Sequence, residues 1–157
     1  MANQSEEGTV TIDHSVINVT SVYSGGTCYS LFGLQGGTVE ILNNSNVTLN
    51  SEIAEGTKIY TGGSSLDGIS GIHAIKKITI TGSTAKIFLN NNVENPESAI
   101  TYGLFAENID IQGSKVTIDC QNGGQAVGIS SMGDSTQYVS PEQATSGVDI
   151  NNSEVEI

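Results

Sequence analysis

Tryptophan and arginine are both missing from this 157-residue chain, and its five basic residues are all lysine. Against them stand 17 Asp and Glu, for a formal net charge of −12. A nucleic-acid binder needs a basic stripe to neutralise phosphates, so DNA and RNA are excluded as partners. An anionic membrane surface would repel the chain as well, which excludes membrane insertion driven by basic anchors. Arginine is the usual fork for a carboxylate or phosphate; without it, acidic sugars need a bridging cation. Aromatic residues are scarce, at 5%, and hydrophobic residues reach only 36%. Such a chain cannot fill a wide core with large side chains, but it can fill a narrow one with stacked Val, Ile and Leu. Two prolines exclude a Pro-rich linker or a collagen-like chain. No signal peptide, transmembrane run or sorting tail can be read in the sequence.

What the chain does have is a repeat. The unit reads apolar-x-apolar, a short turn, then Ser-x-apolar-x-apolar, and it recurs as VTIDHSVINV (10–19), VEILNNSNVTL (39–49), ITITGSTAKI (78–87), IDIQGSKVTI (109–118) and VDINNSEVEI (148–157). The second copy carries one extra residue in its turn. Between copies stands a further signal, Gly followed by an aliphatic residue, in LFGL (31–34), ISGI (69–72), YGL (102–104) and VGI (127–129). The anchor serines Ser15, Ser45, Ser83, Ser114 and Ser153 are spaced by 30, 38, 31 and 39 residues. These spacings are comparable with the roughly 20–45 residues of other stacked repeats. The longer intervals hold polar, Gly/Ser-rich insertions near 50–67 and 130–146, read as loops projecting from a wall.

Alternation with period two means strands with one face buried. Each unit therefore has two strands joined at a corner and a third around the Gly. Abundant Gly and β-branched residues, without 3.6-residue periodicity, exclude a helical alternative. A β-sandwich is the rival, but sandwich strands need no fixed register of identical motifs. The chain reads as all-β: a β-solenoid, specifically a right-handed parallel β-helix of about five coils with three short strands per coil. It reads as one domain over 1–157 and, because it stops at Ile157 within a repeat and without a polar cap, as a segment of a longer repeat protein with weak end-to-end self-association.

Stacking turns the repeat into columns. Ile12, Ile41, Ile80, Ile111 and Ile150 are expected to form one buried column. The serines are expected at a corner, bonded to turn backbone rather than acting as nucleophiles. Gly33, Gly71, Gly103 and Gly128 are expected at bends or close approaches. Cys28 and Cys120 fall in the first and fourth coils. Three strand spacings, roughly 14 Å, exceed the roughly 7 Å limit for a disulfide, so both are expected to be free thiols.

Residues with chemistry are few. Asp13-His14 pairs a carboxylate with an imidazole, but in a turn that reads Thr81-Gly82 and Gln112-Gly113 elsewhere. His73 has no matching His or Cys at metal spacing. YTGGSSLDGIS (60–70), which contains Asp67, approaches a calcium-binding nonapeptide but occurs once. The outward position of the first strand reads Thr11, Glu40, Thr79, Asp110, Asp149, so Asp110 and Asp149 are expected to be neighbours on an acidic wall. Asp110, Asp149 and Asp67 are the candidate calcium ligands. With no Trp, sugar platforms must be drawn from Tyr23, Tyr29, Tyr60, Tyr102, Tyr138, or Phe88 if it faces out.

The three-strand coil resembles the pectate-lyase-like superfamily of right-handed β-helices over nearly the whole chain. Active lyases of that group use calcium-binding acidic residues and a basic residue, usually Arg, which this sequence lacks. GLFAENIDIQGSKVTIDC (103–120) and GGQAVGI (123–129) are similar to non-catalytic β-helix segments of large bacterial surface proteins, often carbohydrate-binding. The resemblance implies a secreted or cell-surface adhesive, glycan-binding or spacer module, with polysaccharide or host glycan as partner, no catalytic residues and no cofactor beyond calcium. The alternative it leaves open is a polysaccharide lyase or glycoside hydrolase of the β-helix type, which rests on fold analogy alone.

Overall fold

A computed structural model describes residues 8–60, 68–95, 99–122, 124–131 and 147–157. Among them there is no helix, and none therefore long and apolar enough to cross a membrane. The strands are β1 (Thr9–Asp13), β2 (Val16–Tyr23), β3 (Thr27–Cys28), β4 (Ser30–Leu42), β5 (Asn46–Ile53), β6 (Lys58–Ile59) and β7 (Gly68–Thr81). They continue as β8 (Thr84–Asn91), β9 (Ile100–Ala106), β10 (Asn108–Gln112), β11 (Lys115–Gln121), β12 (Gln125–Ser131), β13 (Gly147–Asn151) and β14 (Glu154–Glu156).

Pairing is parallel throughout and joins corresponding segments of successive repeats. One sheet runs β1-β4-β7-β10-β13, a second β2-β5-β8-β11-β14, and a small third is β3-β6. β9 and β12 extend the first sheet through β7. The register places Ile12 beside Ile41, Ile41 beside Ile80, Ile80 beside Ile111, and Ile111 beside Ile150. Identical motifs pair in register because any one-residue slip would turn every apolar side chain to solvent. Val39, Ile41, Ile78, Ile80, Ile109 and Ile111 of the first sheet meet Val47, Leu49, Ile87, Val116 and Ile118 of the second in one buried cluster. Each contributes roughly 1.5–3 kcal/mol on full burial, so stability resides in stacked neighbours rather than in any one repeat.

The corners show why the serines recur. The main-chain amide of Ser15 donates to Ser45 Oγ, Ser45 to Ser83 Oγ, and Ser83 to Ser114 Oγ, each at 3.2 Å. Each hydroxyl in turn donates to a carbonyl of its own corner, as Ser83 Oγ does to Thr81 O at 2.9 Å and Ser114 Oγ to Gln112 O at 2.8 Å. The residue before the serine lies in the left-handed region: His14, Asn44, Gly82, Gly113 and Asn152 have φ of 47°, 60°, 56°, 56° and 49°. The extra residue of the second copy is absorbed by a second left-handed asparagine, Asn43, at φ 53°.

Three expectations need correction. The third strand is not always separate. In β4 and β7 it runs on into the next repeat's first strand, with a register shift between Gly36 and Thr38 absorbing the bend. The two-residue pairing of β3 with β6 adds a further short side that three strands per repeat did not anticipate. Ile150 holds its register beside Ile111 but is 44% exposed, because β13 is the outermost strand of its sheet.

Candidate functional site

The strand TAKIFLNN alternates sharply. Ala85, Ile87 and Leu89 are buried in the core, which turns Lys86, Phe88 and Asn90 outward. Phe88 is 37% exposed, on a wall whose outward side chains are polar apart from Val16 and Val22. Parallel register sets Asn50 of β5 on one side of it and Asp119 of β11 on the other. The next outward row is Glu52, Asn90 and Gln121. Together with Thr20 and Val22 of β2 these residues line a shallow groove of about 220 Å³. A second depression of about 370 Å³, lined by Thr117, Glu156 and Ile157 among others, shares Phe88 and Asp119 with the first. Phe88 and Asp119 therefore line both concavities.

The polar groups of the groove are held in place by one another. Gln121 Nε2 donates to Asp119 Oδ2 at 3.0 Å. Asn122 Nδ2 donates to Asn90 Oδ1 at 2.8 Å and to Asn92 Oδ1 at 2.9 Å. An apolar ring face flanked by fixed amides and a carboxylate suits a ligand with apolar C–H faces and many hydroxyls. The carboxylates of Glu52 and Asp119 disfavour an anionic one.

The other candidates are placed as follows. Asp110 and Asp149 are register neighbours, as expected. Both oxygens of Asp110 are engaged, Oδ2 facing Lys77 Nζ at 3.4 Å and Oδ1 accepting from Gln112 Nε2 at 2.9 Å, and Asp149 Oδ1 accepts from Asn151 Nδ2 at 2.7 Å. Two carboxylates beside an ammonium fall short of the roughly six to eight oxygens calcium takes. Among the described residues, no group of three or more His, Cys, Asp or Glu is arranged to hold a metal. Asp67 and Tyr138 lie outside the described residues.

Asp13 and His14 form an exposed pair, with His14 Nδ1 2.8 Å from Asp13 Oδ1. Asn43 Nδ2 also donates to Asp13 Oδ1 at 2.8 Å, and this bond first, then His14, holds the carboxyl below its ordinary value. The pair ties one corner to the next. Cys28 and Cys120 are free. Burial raises both thiols, Cys120 to about 11 with Asp119 adding to the effect, so neither is a ready nucleophile.

Sequence reasoning missed an aromatic column. His73 is only 4% exposed and is stacked between Phe32, at 5.1 Å, and Phe105, at 5.7 Å. Tyr102 stacks on Phe105 at 4.4 Å, although the two stand an odd number of positions apart on one strand. Gly103 and Leu104 explain this. Leu104 belongs to the core cluster and Gly103 abuts Ile118, so two consecutive residues point inward and leave Tyr102 and Phe105 on the same outer side. Strict period-two counting puts those two rings on opposite faces.

Compared with known proteins, the chain matches no family model, no curated protein and no solved structure.

Proposed function

We propose that this chain is a right-handed parallel β-helix of about five coils that serves as a non-catalytic, glycan-binding wall of a bacterial surface protein. Three features support the coiled reading: sheets that recruit every third strand, uniformly parallel pairing, and a serine ladder at one corner. Parallel strands joined by a crossover are right-handed in nearly all proteins. The observation that carries the glycan reading is Phe88, exposed between Asn50 and Asp119 at the lip of a groove that mixes apolar surface with amides and carboxylates. The ring would take the C–H face of a sugar while Asn50, Asp119 and Gln121 take its hydroxyls.

Titration against an array of neutral and acidic oligosaccharides tests this. Neutral glycans should bind, and Phe88→Ala should weaken binding at least tenfold without changing the melting temperature much, since the ring lies outside the core. An array without a hit would end the glycan reading; equal binding by Phe88→Ala would move the site elsewhere. Release of reducing ends or unsaturated uronides would favour the lyase or hydrolase alternative.

A further inference from the structure

Cys28 of β3 pairs with Ile59 of β6, and the amide of Tyr60 donates to Cys28 O at 2.9 Å. Tyr29 and Tyr60 therefore leave successive repeats side by side. Their ring centroids are 4.8 Å apart with planes inclined at 43°, and the residues are 63% and 49% exposed. We propose that Tyr29 and Tyr60 are a site of oxidative coupling, joined ring to ring as a covalent staple between neighbouring repeats.

The geometry meets each requirement of that chemistry. Both phenols are open to an oxidant. At this separation, small rotations of the two side chains bring an ortho carbon of one ring against an ortho carbon of the other. The other described tyrosines are less suited: Tyr23 is half-buried and its hydroxyl donates to Thr27 O, and Tyr102 is buried against Phe105. The oxidant is hydrogen peroxide used by a haem peroxidase. Each phenol gives up one hydrogen atom, and the two phenoxyl radicals join through their ortho carbons. Each ring then moves its ortho hydrogen to oxygen and regains its aromaticity. One C–C bond replaces two aromatic C–H bonds, and the two electrons and two protons removed reduce one peroxide to two waters.

Coupling within one molecule should outrun coupling between molecules. The partner ring is already in place, whereas two copies of a chain of net charge −12 repel each other at low salt. The staple would also act where it is most useful: β3 and β6 contribute only two residues each to their sheet. Closing the chain from Tyr29 to Tyr60 constrains the unfolded state, as a disulfide does.

The test treats the intact chain, dilute and at low salt, with a haem peroxidase and hydrogen peroxide. The product should be a monomer lighter by two hydrogen atoms, with dityrosine fluorescence, a digest peptide joining positions 29 and 60, and a raised melting temperature. Tyr29→Phe and Tyr60→Phe should each abolish the intramolecular link, and Tyr23→Phe should leave it intact. Both Phe variants keep the ring, so they should fold. A link found only between molecules, a link through another tyrosine, or no coupling under conditions that couple free tyrosine would overturn the proposal.

Discussion

The main-chain amide of Ser114 donates to the hydroxyl of Ser153, 39 residues further along the chain, at 3.1 Å. Ser153 Oγ lies 2.8 Å from Asn151 O and 3.2 Å from Ile111 O, so one hydroxyl serves two repeats. The same arrangement recurs up the corner, and a serine there is a structural rung rather than a nucleophile.

Removing a rung should therefore cost more than one hydroxyl group is worth on a surface. Ser114→Ala leaves the buried amide of Ser83 without its acceptor, at about 1–3 kcal/mol. Ser15 is partly exposed, and among the described residues its hydroxyl bonds to Asp13 O of its own corner and accepts from no amide of a neighbouring repeat. Ser15→Ala should cost well under half as much. Urea denaturation of both variants measures the difference, and equal losses would show that the ladder contributes nothing beyond the local turn.

The isoleucine column should be uneven. Ile111 is fully buried, so Ile111→Asp places an unpaired charge in the core and should cost more than about 4 kcal/mol or prevent folding. Ile150→Asp, at a 44% exposed position, should cost far less. Thr79→Asp faces outward but lies between Glu40 and Asp110, so it should cost up to about 1 kcal/mol from like-charge contact, relieved by salt. Melting temperatures of the three variants rank these effects directly.

Two glycines should respond very differently. A Cβ on Gly103 would meet Gly128 O at 2.4 Å and Ile118 Cγ2 at 2.5 Å, so Gly103→Ala should destabilise by about 1–3 kcal/mol or more. Gly82 has φ 56° and open space around it, in the corner position where Asn44 and Asn152 stand in other repeats. Gly82→Asn should be within about 0.5 kcal/mol of neutral. Near-equal effects in thermal melts would contradict the close approach at Gly103.

Stability should fall on mild acidification through His73. Burial holds its imidazole below the ordinary 6.5, so the folded chain binds fewer protons there than the unfolded chain. Stability from this residue is complete above that value and is lost as the pH drops below it. His73→Phe keeps a ring between Phe32 and Phe105 and should flatten this part of the profile. Denaturant midpoints measured across this range for both proteins decide the matter. An unchanged slope in the variant would place the acid sensitivity elsewhere.

Much of the architecture was legible because it is local. The alternation in Val39-Glu40-Ile41 or Ile109-Asp110-Ile111 states which side chains point inward, since successive strand residues face opposite ways. Five near-identical motifs then leave one economical pairing, and it puts Ile41 beside Ile80 and Asp110 beside Asp149. The same parity turned Phe88 outward, so its part in a site was half visible.

The rest depended on what lies across the repeats, which no single motif encodes. Ile111 and Ile150 occupy the same motif position, but one has a paired strand on both sides and the other on one side only. Tyr102 and Phe105 meet because two consecutive inward residues, Gly103 and Leu104, break the count of two, and the register of neighbouring strands then sets His73 beside Phe105. Tyr29 and Tyr60 stand in no shared motif, and only the pairing of β3 with β6 brings their rings together. A residue's facing follows from its own backbone; its burial and its neighbours follow from segments some thirty residues away, and those only the folded chain brings into contact.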